Sequence, residues 1–231
     1  MLRVAAVGTS YPEPILHIDA SYVASMFDAS SGGSPTANNG TVARIEDRSG
    51  NGHHMVENLV GGTRSDATQN GLAALDMESG TKGYNTVTGL TLTRPYTIML
   101  IAKQNSSGDN RILNAIGANS LMNISRASAC VFINGNAVRN SAVAATNTVG
   151  ILTMRVSASA TTTLYFNGTT DIADGSPASA DWGELTIGRP GLFNESPLAD
   201  LFELLVWNTH LADVDWQAAQ TEKAAKWGIT I

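Results

Sequence analysis

The chain has 231 residues, 43% of them hydrophobic and only 15% charged, with 14 Lys and Arg against 20 Asp and Glu for a formal net charge of −6. That length suits one large all-β domain, and the apolar share is too high for a disordered chain or a coiled coil. An acidic chain with no basic cluster is poorly built to neutralise phosphates, so a nucleic-acid clamp is excluded as well.

Met1 to Gly8 reads as a short apolar strand, and Pro12-Glu13-Pro14 stiffens its join to the rest of the chain. Residues 1–14 are therefore either a strand of the domain's own sheet or an N-terminal arm that pairs with another copy or another protein. The run Leu2 to Val7, broken by Arg3, is too short for a secretory h-region, which leads to the expectation of a protein that folds in the cytoplasm where it is made. From residue 15 to about 208, two-residue alternation and β-branched residues predict strands over 15–20, 41–47, 72–77, 96–103, 111–116, 129–134, 151–156, 162–167, 184–188 and 198–207. Turn signals punctuate them: Asn39-Gly40, Asn51-Gly52, Asn70-Gly71, Asn134-Gly135, Asn167-Gly168 and Asp174-Gly175. Even the longest apolar runs, such as Ile98 to Ala102, fall far short of a membrane span. Cys130, the single cysteine, reads as a small core residue, so the core rather than a disulfide must stabilise the fold. The Asn-x-Ser/Thr sites at Asn39, Asn105, Asn123, Asn167 and Asn194 read as products of composition. The last segment differs: residues 212–227 are rich in Ala, Gln, Glu and Lys, with Asp213 placed to cap a helix, Lys223 and Lys226 in its last turns and Gly228 closing it. Many short strands followed by one helix predict an all-β, antiparallel two-sheet sandwich over residues 15–231.

Three stretches carry a resemblance. Leu16-His17-Ile18-Asp19 is followed by Asp47-Arg48-Ser49-Gly50-Asn51-Gly52, then comes Leu164-Tyr165-Phe166-Asn167-Gly168, then Leu185-Thr186-Ile187-Gly188 with Ala199 to Asn208 and a helix ending Ala224-Ala225-Lys226-Trp227-Gly228. In order and spacing they resemble the laminin-G-like (concanavalin A-like) jelly roll of bacterial and phage proteins. Ile45, where that family usually has Trp, and Glu222-Lys223, where it has Tyr-Leu, depart from the pattern. The resemblance implies a jelly-roll sandwich closed by the helix, with Trp207 and Trp227 buried. It also implies a non-catalytic structural or assembly protein displayed on a tailed-phage virion, as capsid decoration or a tail component. Its partners would be virion proteins or its own copies, met through residues 1–14, in a homo-oligomer with a trimer preferred. A lectin-like, receptor-binding glycan module is the alternative, and a carbohydrate-active enzyme the third.

The candidate chemistry is sparse. Asp200 and Glu203 stand three apart, hence on opposite faces of a regular strand; Asp171/Asp174 share that spacing, and Asp213/Asp215 fall at the helix start. His53 and His54 are adjacent, His17 sits in a strand and His210 in a turn, and no Gly-x-Ser-x-Gly elbow exists. No catalytic residue is therefore expected. Asp47 and Asn51 flank a tight turn and could give calcium two of the six to eight oxygens it wants; alternatively Asp47 accepts the Ser49 and Gly50 N–H groups as an Asx turn. For a glycan, Trp182 and Tyr84 are loop-proximal aromatics able to stack on a sugar, or else core residues.

Overall fold

The computed structural model describes residues 10–58, 60–78, 82–86, 89–105, 112–116, 121–126, 129–134, 137–140, 147–159, 161–177, 184–188 and 198–231. Trp182, Asn194 and residues 1–9 of the expected arm lie outside the described residues. In chain order the strands are β1 (Leu16–Asp19), β2 (Met26–Phe27), β3 (Arg44–Ile45), β4 (Met55–Glu57), β5 (Thr63–Gln69), β6 (Leu72–Asp76), β7 (Gly83–Thr86), β8 (Tyr96–Gln104) and β9 (Leu113–Ile116). Then come β10 (Leu121–Arg126), β11 (Ala129–Asn134), β12 (Ala137–Asn140), β13 (Val149–Val156), β14 (Thr161–Phe166), β15 (Thr169–Pro177), β16 (Glu184–Gly188), β17 (Ala199–Trp207) and the helix α1 (Asp213–Trp227).

These strands form two antiparallel sheets, a jelly-roll β-sandwich. The first runs β15-β14-β13-β8-β17-β6-β5, with β1 also paired to β17; the second runs β12-β11-β10-β9-β16-β7-β4-β3-β2. Leu100, Leu152, Leu201, Leu204, Ile45, Met55, Leu113 and Ile187 fill the space between the sheets. A second apolar core lies on the other face of the first sheet, where Met99, Ile101, Phe202, Leu205 and Trp207 meet Trp216, Ala219, Ala224 and Trp227 of α1. With both faces covered, β13 and β17 are buried along their whole lengths, which explains their nearly unbroken apolar runs.

Several expectations are corrected. The segment Thr63–Gln69 is a strand although no residue in it is fully buried, so it shows no apolar alternation to read. Asp174-Gly175, read as a turn, lies inside β15. Asn70-Gly71 and Asn167-Gly168 are the turns they promised, with φ positive at both residues of each pair. Asp213 is not the helix cap: Ala212 takes that place without a side-chain bond, and Asp213 instead receives Arg155. Gly228, at φ 65°, ends α1, and the Ile229 N–H returns to the Ala224 carbonyl. Of the expected arm, Tyr11 and Pro14 are buried on the body, and Trp207 Nε1 donates to the Pro12 carbonyl at 2.7 Å.

Candidate functional site

The Asp47–Asn51 turn is a backbone clamp. Asp47 Oδ1 accepts the N–H groups of His17 and Ser49, each at 2.9 Å. Its Oδ2 accepts Ser49 Oγ at 2.7 Å and the His53 N–H at 3.0 Å. Burial pushes the Asp47 pKa up, but these donors outweigh it and hold the carboxyl below its ordinary range. Asn51 Nδ2 donates to the Ile15 carbonyl and to Ser49 Oγ. The geometry is that of the Asx turn, with His17 and His53 where Gly50 was expected: four donors meet the Asp47 oxygens. Tyr84, the other proposed sugar contact, is wholly buried; its hydroxyl donates to the Val42 carbonyl at 2.6 Å and accepts the Gly62 N–H at 2.5 Å. It is a core residue with no face to offer a ligand.

Beneath the C-terminal half of α1 lies a charged cluster that sequence reasoning missed. A β-bulge between Leu201 and Glu203 puts Phe202 and Glu203 on the same, helix-facing side of β17. The parity argument that separated Asp200 from Glu203 fails for this reason. The two acids are nevertheless bound apart: Lys103 holds Asp200 at 2.7 Å. Glu203 is fully buried and takes His17 Nε2 at 2.7 Å, Trp227 Nε1 at 2.8 Å, Lys226 Nζ at 2.9 Å and Lys223 Nζ at 3.0 Å. Asp19 takes Arg48, Lys226 and Ser21. Burial raises the Glu203 pKa, yet the His17 bond and the Lys223 and Lys226 charges hold it far below the carboxylate range. Ligand atoms of His17, Asp19 and Glu203 fall within 4.8 Å of one another. Three cations already occupy the carboxylate oxygens, so the trio is a latch between helix and sheet.

The N-terminal half of α1 makes a different kind of site. Its buried stripe runs Trp216, Ala219, Gln220, Lys223, Ala224, Trp227, the spacing of one helix face. Trp216 stacks on Tyr165 of β14 with ring centroids 4.0 Å apart, and its indole nitrogen reaches Asp213. Between this part of α1 and the Asn167-Gly168 turn lies a cleft of about 410 Å³. Among the described residues its walls are Asn167, Gln217 and Gln220, Thr169 and Thr221, Gly168, Trp216 and Ile231, without one ionisable side chain. Asn167 Oδ1 already accepts the Ile151 N–H at 2.8 Å, so it can offer a ligand only its Nδ2 donor. Gln220 is the residue the sequence concealed; the signal was an amide on the helix face marked by Trp216, Ala219, Ala224 and Trp227.

No protein-family model and no curated protein sequence matches the chain. Solved structures do. The botulinum neurotoxin serotype D ligand-binding domain in complex with N-acetylneuraminic acid matches with a TM-score of 0.62 at 12% identity, over 95% of this chain and 54% of that one. The Trypanosoma rangeli sialidase in complex with the inhibitor DANA matches with a TM-score of 0.57 at 11% identity, over 87% of this chain and 36% of the sialidase. The chain thus spans about half the length of the toxin domain and about a third of the sialidase. At these identities the likeness is one of fold alone.

Proposed function

We propose that this protein is a non-catalytic glycan-binding module whose sugar site is the cleft between α1 and the Asn167-Gly168 turn. The observation that carries this reading is the chemistry of that cleft: amide and hydroxyl side chains and a tryptophan on a helix and a hairpin, in a volume within the range of about 300–1,000 Å³ usual for small-ligand pockets. Sugars are uncharged polyols with apolar ring faces, and such a lining matches them where a charged pocket would not. The ligands in the two similar structures, a sialic acid and a sialidase inhibitor, lend the fold-level support. The absence of turnover is supported by Glu203, whose four donors keep it ionised and unable to protonate a leaving oxygen. The resemblance to phage proteins implies a virion as the setting, and any contact made by the expected arm would then fall before Tyr11, since Tyr11 to Pro14 are engaged with the body.

Trp216 is 3% exposed and has little ring surface left for a sugar, so the expected affinity is weak, on the order of 1 mM. A glycan panel read by calorimetry or NMR tests this. Binding that falls about tenfold in a Gln217→Ala, Thr221→Ala double variant with an unchanged circular dichroism spectrum supports the site. If no glycan binds at tens of millimolar, or if a polysaccharide is cleaved and Glu203→Gln stops the cleavage, the reading fails.

A further inference from the structure

Gln220 is 1% exposed. One end of its amide is used, with Thr153 Oγ1 donating to Oε1 at 3.3 Å, while Nε2 is buried and has no hydrogen-bond partner. A buried N–H donor left unpaired is costly, and such groups are rare unless something else completes them. Nε2 faces the hairpin turn of the cleft: a Cβ built on Gly168 would stand 3.2 Å from it and 3.4 Å from Ile231 Cβ. Gly168 has φ +83°, so no other residue fits there without strain, and a side chain at this position would crowd the amide.

We infer that the cleft selects a neutral sugar bearing an acetamido group, an N-acetylhexosamine unit, whose carbonyl oxygen accepts from Gln220 Nε2. This rests on the glycan-binding reading and deepens it. Gly168 and Ile231, the residues beside the donor, carry no acceptor side chain. A hydroxyl placed there would have to find an acceptor of its own, whereas an amide carbonyl only accepts. The acetamido methyl then meets Ile231 and Trp216, and the remaining sugar oxygens meet Asn167 Nδ2 and the Gln217 and Thr221 side chains. Among the described residues no Lys, Arg or His lines the cleft, so a sugar carboxylate would enter it without a counter-charge. A neutral aminosugar is favoured over a sialic acid.

The test uses the full chain, labelled with nitrogen-15, titrated separately with N-acetylglucosamine, N-acetylgalactosamine, glucose, galactose and N-acetylneuraminic acid. The expected result is that the two neutral acetamido sugars shift the Gln220 side-chain NH₂ and the Trp216 indole resonances and bind about tenfold more tightly than glucose or galactose. In Gln220→Leu that preference disappears; the wild-type NH₂ shift reads the same contact should the variant not fold. Equal binding of glucose or galactose in the cleft, or tightest binding of N-acetylneuraminic acid, overturns the acetamido inference and leaves the glycan reading standing. If no sugar moves either resonance, both fall.

Discussion

At the residue scale, Glu203 shows how a buried charge is made tolerable and why disturbing it is costly. Its carboxylate lies out of water; Oε1 is met by His17 of β1 and Lys223 of α1, and Oε2 by Lys226 and Trp227 of α1. Removing one partner of such a group strands the rest, so Glu203→Ala is expected to lower stability by about 3–5 kcal/mol, measured by urea unfolding. The pH dependence is set by the directions of the shifts. Glu203 and Asp47 both have folded pKa values below their ordinary ones, so the stability they contribute is present above the carboxylate range and is lost as pH falls through it. His210, lowered by burial and by Arg155, loses its contribution earlier, as pH drops through the ordinary imidazole range. Burial alone would lower Lys223, but the Glu203 charge and the Glu222 hydrogen bond outweigh it and raise the group above the usual lysine value, so its contribution outlasts ordinary lysine titration at the alkaline end. Acid unfolding curves of the wild type and Glu203→Gln check this: the variant should have the shallower acid limb.

At the element scale, α1 is both lid and wall. Trp227 fills the space against Phe202, with ring centroids 5.0 Å apart, and donates to Glu203. Trp227→Ala should cost about 3–5 kcal/mol by leaving a cavity, and Trp227→Phe should cost less, since it keeps most of the packing and loses the hydrogen bond. Denaturation midpoints of the two variants separate the terms. The helix was legible because its stripe, its Gly228 stop and its Ala-rich body agree, and the Asn-Gly hairpins were legible because only residues tolerating positive φ serve there. β5 was not, since Thr63–Gln69 is held by its neighbours without burying a residue. The site was hidden for a related reason. The bulge at Phe202 and Glu203 reverses the parity that sequence reading must assume, and Gln220 and Lys223 look like solvated helix residues until the partners brought by β13 and β17 are known.

At the scale of the whole molecule, the first sheet lies between two apolar cores, so its central strands are fixed from both sides. Residues 10–14 belong to this body: Tyr11 meets Trp207 edge to face with centroids 6.1 Å apart, and Pro12 accepts the indole N–H. A chain lacking residues 1–14 should therefore be less stable than one lacking residues 1–9 by about 2–4 kcal/mol, the scale of losing one large buried side chain. Equal melting behaviour of the two truncations would show that the Tyr11 packing contributes nothing.

β17 has a further consequence. It is bonded on one side to β8 and on the other to β1 and β6, yet it is the last strand in the sequence. On the ribosome, Leu16–Asp19 must wait for nearly the whole chain before Val206 to Glu203, their register partners, are translated. During vectorial synthesis β13 can pair with β8, but the place between β8 and β6 stays empty, so a holdase-type chaperone has most to shield before β17 emerges.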